Sequence, residues 1–137
     1  MKRHELRENI FQLLFRAEFN EPQDMDEQVD FFFQDEEKSW IDEASKNEIK
    51  VKFYKILEKL PDLDKQLNEK TERWNTKRFG KVELTVMRLA LYEMLYDDTI
   101  PDGVAIDEAV TIAKTYGQES SGAFVNGVLV KFIKKND

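Results

Sequence analysis

The chain has 137 residues, with 21 Lys and Arg against 28 Asp and Glu, one His and no Cys. That length suffices for one domain with a sizeable apolar core, and the missing Cys removes disulfides, thiolate zinc sites and cysteine nucleophiles together. There is no run of 18 apolar residues to span a membrane, and MKRHELREN leads into an amphipathic pattern rather than a signal peptide, so a soluble cytoplasmic protein is expected. The formal charge of −7 speaks at first against nucleic acid, but it is regional. Residues 21–48 hold eleven acids against two lysines, whereas 1–20 and 49–137 each stand at +1. A basic edge outside the acidic segment stays open.

Five Gly, three Pro and abundant Leu, Glu and Lys favour an all-α fold. Leu6, Ile10, Leu13/Leu14 and Ala17 form the stripe of an amphipathic first helix, which Glu21-Pro22-Gln23-Asp24 ends. A short acidic helix carries Val29 and Phe31 to Phe33. Ser39 with Asp42 resembles a capping box, opening a helix striped by Ile41, Ser45, Ile49, Phe53, Ile56 and Leu60. Pro61-Asp62 is expected to stop that helix and start another, with Leu63, Leu67 and Trp74 on one face.

VELTVMRLALYEMLY is apolar around nearly its whole circumference and predicts the central helix. After the loop Thr99-Ile100-Pro101-Asp102-Gly103, a helix runs from about Val104 to Tyr116, with Ile106, Ala109/Val110, Ala113 and Tyr116 inward. Gly117 is placed to end it in the left-handed conformation. The stretch GQESSGAFVNGVLVKF holds an Asn-Gly pair that would usually mark a hairpin. Phe124/Val125, Val128/Leu129 and Phe132/Ile133 recur every four residues, so a helix is expected instead, with Ser120 or Ser121 as its N-cap. Gly127 would then cost about 1 kcal/mol against Ala, a cost that close helix packing would offset.

Residues 74–129 resemble the NusB family of bacterial transcription antitermination factors. The resemblance rests on Arg88 before Leu89-Ala90-Leu91-Tyr92-Glu93, on Ile100-Pro101 before Val104-Ala105-Ile106, and on Glu108-Ala109-Val110 and Ala113-Lys114. Phe124-Val125-Asn126-Gly127-Val128-Leu129 completes it, and Arg7-Glu8 and Gln12-Leu13-Leu14-Phe15 extend it more loosely to the N-terminus. It implies about seven helices in two small packed bundles, one NusB-like domain over residues 1–137 with N-terminal helices over about 3–60 and C-terminal helices over about 62–134. It implies a non-enzymatic role: pairing with NusE, a small-subunit ribosomal protein, and binding single-stranded boxA RNA of ribosomal RNA operons within the RNA polymerase antitermination complex. Self-association of the free chain as a homodimer is left open. A related helical domain precedes some ribosomal RNA cytosine methyltransferases, but 137 residues leave no room here for a cofactor-binding domain.

Lys2, Arg3, His4 and Arg7 stand at the start of the first helix, where cations oppose the helix dipole. An RNA phosphate would account for them; a frayed, solvated terminus is the alternative. The resemblance makes this an arginine-rich RNA-binding motif, thinned here by His4 and Glu5. Phe124 serves either as a stacking platform for an unpaired base or as the first core residue of its helix. Ala123 and Val130 depart from the polar residues common in the family. The resemblance turns Glu83 and Phe15 toward NusE, though an acid in a first turn also suits the dipole. Asn126 is expected to make a buried hydrogen bond, and Arg88 to pair with a carboxylate or with carbonyls, Glu93 being available. Lys77, Arg78 and Lys81 form a second basic cluster, in which Lys77 and Arg78 suit the end of a helix and the alternative is a phosphate-facing strip.

One His and no Cys assemble no convincing catalytic triad, and neither a Gly-rich phosphate loop nor a metal-ligand spacing occurs. Asp107-Glu108 point in different directions on their helix, and Asp97-Asp98 suit a solvated loop. No enzyme and no cofactor are expected. The alternative to an RNA-binding factor is a helical adaptor that keeps NusE and has largely lost RNA.

Overall fold

The structure, a computed structural model, describes residues 1–71 and 79–134. Trp74, Lys77 and Arg78 lie outside the described residues. Among those described there are six α-helices and no strand, in keeping with the all-helical expectation. They are α1 (Arg3–Ala17), α2 (Met25–Gln34), α3 (Glu43–Lys70), α4 (Lys81–Tyr96), α5 (Asp102–Tyr116) and α6 (Ser121–Leu129), with short 3₁₀ turns at Pro22–Asp24, Glu36–Lys38 and Val130–Phe132. The chain divides into two compact units, Met1–Leu57 and Glu58–Asp137.

In the first unit α1 buries Leu6, Ile10, Leu13 and Leu14, each at most 2% exposed, on the face its period marks out. Met25, Val29 and Phe32 of α2 and Ile49, Phe53 and Ile56 of α3 join this core. Each such side chain contributes roughly 1.5–3 kcal/mol by leaving water. Lys38 pins α1 from the following turn: its Nζ donates to Asn9 Oδ1 at 2.9 Å and to the Gln12 side-chain oxygen, and lies 4.8 Å from the Phe32 ring centroid. Burial pulls the Lys38 amine below its usual pKa, against the opposing charges of Glu8, Asp35 and Glu37.

Helix α3 begins later than the Ser39 reading implies. Asp42 is the cap, its Oδ1 accepting the Ser45 backbone N–H at 2.7 Å, and that bond holds the Asp42 carboxyl below its usual pKa. The helix also continues through Pro61, where a break is expected from sequence, which accounts for six helices rather than seven. An interior proline forfeits the bond to the Leu57 carbonyl, at a cost of about 3 kcal/mol. Ile56, Leu63 and Leu67, all fully buried on either side of it, offset that cost.

In the second unit α4 is the central element, with Leu84, Val86, Met87, Leu89, Ala90, Leu91 and Met94 buried around its circumference. Helices α5 and α6 pack on it and on each other. Arg88 joins α4 to the end of α3 through a two-pronged pair, Nε to Asp64 Oδ1 at 2.8 Å and Nη2 to Asp64 Oδ2 at 2.7 Å. Asp64 supplies a carboxylate of the kind expected for Arg88, and Glu93 is itself buried.

The glycines depart from expectation. Gly117 ends α5 with φ −102° and ψ −153°, an extended rather than left-handed cap. A Cβ there would stand 2.8 Å from the Ala113 carbonyl oxygen, so close approach is what favours glycine. At Gly127 a Cβ would meet nothing within 4 Å, and the expected close packing is absent; α6 instead lies tight at Gly122, over Lys114 and Val110. Tyr116, expected inward, is exposed.

Candidate nucleic-acid and partner surfaces

Each unit carries part of the expected site. In the first, Lys2 is the N-cap residue of α1, with an extended backbone that lets Glu5 reach back: Glu5 Oε1 accepts the Lys2 backbone N–H at 3.0 Å. Glu5, a departure from an arginine-rich motif, thus has a local structural use. Lys2 and Arg3 are exposed. Arg3 Nη1 donates to Glu48 Oε1 of α3 at 2.6 Å. His4 Nε2 lies 3.4 Å from Glu8 Oε2 one turn on. Arg7 faces inward, only 6% exposed, so the four N-terminal basic residues do not form one solvent-facing row.

Phe11 and Phe15 of α1 and Phe19, two residues past its end, make a chain of ring contacts, tilted between the first two and T-shaped between the last two. Ring centroids are 6.0 Å apart for Phe11 and Phe15 and 5.2 Å for Phe15 and Phe19. The ladder rises from the core to the surface: Phe11 is buried, Phe15 half-buried and Phe19 59% exposed. Sequence reasoning singles out Phe15 and misses Phe19, although the spacing of four is legible.

In the second unit Phe124 is half-buried, its ring meeting buried Phe79 in a T-shaped contact at 5.7 Å. It is neither an exposed platform nor a sealed core residue: Phe79 packs against its ring and the residue keeps partial exposure. Ala123, Asn126 and Val130 are exposed, so Asn126 does not make the buried hydrogen bond expected of it. Helix phase explains this, since Val125, Val128 and Leu129 take the inward face.

Glu83 stands in the first turn of α4, its carboxylate folded back over Gly80. Its Oε1 accepts the hydroxyl hydrogen bond of Ser121 at 2.8 Å, and the Ser121 Oγ in turn accepts the Gln118 backbone N–H at 2.9 Å. Neither Ser120 nor Ser121 acts as the N-cap of α6 through its side chain; Ser121 is the first helical residue and braces α6 to α4. Lys81 is exposed at the start of α4.

No group of three or more His, Cys, Asp or Glu is placed to hold a metal among the described residues, and no helix there is long and apolar enough to cross a membrane. The surfaces present short cationic and aromatic features on a helical scaffold, suited to contacting a macromolecule.

Known proteins of the same build agree with that character. The sequence profile of the NusB family matches residues 4–134. A transcription antitermination protein NusB of Lachnoclostridium phytofermentans is 46% identical over 97% of this chain and 99% of its own. One from Agathobacter rectalis is 44% identical over 96% and 99%. The solved structure of T. maritima NusB superposes with a TM-score of 0.86 at 36% identity, covering 98% of this chain and 92% of that one. The chain belongs to the NusB family of transcription antitermination proteins. The same fold recurs, at 22% identity and a TM-score of 0.78, in a crystal structure of the antitermination factors NusB and NusE in complex with dsRNA, over 96% of this chain and 97% of that one.

Proposed function

We propose that this antitermination factor pairs with the ribosomal protein NusE and, together with it, binds single-stranded boxA RNA of ribosomal RNA operons within the RNA polymerase antitermination complex. Family membership along almost the whole chain carries the reading, and a relative of the same fold crystallised with NusE and dsRNA supports it. In this reading Lys2 and Arg3 supply phosphate attraction, with His4 beside them. Arg7, being buried, shapes the start of α1 more than it meets phosphate. Phe124 offers its exposed part to an unpaired base. Phe15, extended by Phe19, and Glu83 face NusE. Few cations are exposed in the motif, so NusE completes the RNA surface.

A second reading has its own observation. Arg3 is already held by Glu48 and Arg7 is buried, which suits an adaptor that retains NusE and has given up most RNA binding.

The test is RNA affinity of the NusE complex for the wild type, Arg3→Ala and Phe124→Ala across a salt series. Removing Arg3 should lower affinity and reduce the salt slope by roughly 0.7 for each phosphate it neutralises. Removing Phe124 should cost about 1–3 kcal/mol with little change in slope. Unchanged binding in both variants removes these residues from the surface.

A further inference from the structure

The contact between Arg3 and Glu48 joins positions 45 residues apart, at 2.6 Å, with side chains 63% and 50% exposed. Glu48 lies on α3, followed by Lys52 one turn on and Lys55 two turns on. These spacings place all three along one flank of the helix, while Ile49, Phe53 and Ile56 fill the buried face. A carboxylate on a guanidinium makes the same charge-assisted contact as a phosphate oxygen. The anion already seated on Arg3 is therefore a chemical stand-in for an RNA phosphate.

We infer that Glu48 is a resident competitor: it occupies Arg3 in the free protein and is exchanged for an RNA phosphate, which then lies over the α3 flank bearing Lys52 and Lys55. This rests on the RNA-binding reading above and extends its surface from α1 onto α3. The exchange is feasible because exposed ion pairs of this kind are weak, and because the flank that receives the phosphate offers two lysines against one carboxylate. Glu48 thereby sets the threshold for RNA: it withholds the arginine from weak anions and yields it to a strand that also engages the lysines.

The experiment measures binding of labelled boxA-type RNA, with NusE present, to the wild type, Glu48→Gln, Arg3→Ala, the double variant and Lys55→Gln. Glu48→Ala serves as a second removal of the carboxylate, and circular dichroism verifies folding of each. Glu48→Gln and Glu48→Ala should bind about two- to fivefold more tightly than wild type. The gain should vanish when Arg3 is also removed, and Lys55→Gln should weaken binding and lower the salt slope. If the wild type binds RNA but removal of Glu48 brings no gain, or the gain persists without Arg3, the exchange is overturned while the RNA reading stands. If neither wild type nor Glu48 variants bind RNA, both fall.

Discussion

Ser121 and Glu83 tie the first residue of α6 to the first turn of α4 through a 2.8 Å hydrogen bond, although 38 residues separate them. Ser121 is 1% exposed, so its hydroxyl has no water to replace the carboxylate. Glu83→Ala should lower stability to urea by about 1–3 kcal/mol, the cost of a buried polar group deprived of a charged partner. Glu83→Gln, which keeps an acceptor, should recover much of it. Any drop in NusE binding in Glu83→Gln then reports on the partner surface rather than the brace. An unfolding midpoint unchanged in Glu83→Ala would show that the brace contributes nothing.

Arg88 and Asp64 make a comparable link, two parallel hydrogen bonds with side chains 13% and 26% exposed. Arg88→Ala should cost about 2 kcal/mol, in the range of charge-assisted hydrogen bonds. A double-mutant cycle with Asp64→Ala should return a clear coupling energy. Additive single effects would mean that the pair is incidental.

The glycines of the last two helices give opposite expectations. Gly127→Ala should raise stability by roughly 1 kcal/mol, because the helix gains a better former and the methyl meets nothing. Gly117→Ala should lower it by about 1–3 kcal/mol, since the methyl presses on the Ala113 carbonyl and the Ser121 hydroxyl. Thermal melts of the two variants decide; the same sign in both would contradict the packing described.

Tyr54 donates to Asp26 Oδ1 at 2.6 Å. Burial first, then that bond and the charges of Asp26 and Asp30, push its phenol from 10.0 up to about 12. The folded state holds this proton more tightly than the unfolded one. The resulting stability is fully present below the unfolded value near 10.0 and is lost as pH rises toward about 12. An absorbance titration of wild type minus Tyr54→Phe should show a late tyrosine that Asp26→Asn moves earlier. A difference curve centred at the ordinary tyrosine pKa would refute it.

Helix existence is legible in the sequence because apolar period survives without tertiary knowledge: the buried faces of α1 and α4 fall where the residues put them. Pro61 is ambiguous there, since a proline suits a first turn as well as a tolerated interior, and burial on both sides of it decides the matter. Asn126 is misread by residue type, although helix phase already separates it from the inward Val125, Val128 and Leu129. The polar links are out of reach. Arg3 with Glu48, Arg88 with Asp64 and Ser121 with Glu83 each join residues at least 24 apart, and no local spacing predicts such pairs.

The most direct measurement is binding of a short boxA-type RNA, beside a scrambled control, over a salt series with and without NusE. Modest affinity is predicted for the chain alone, clearly higher affinity with NusE, and preference for boxA over the scrambled sequence. Equal affinity with and without NusE would contradict the composite surface, and NusE binding with no RNA binding at any salt would leave only the adaptor.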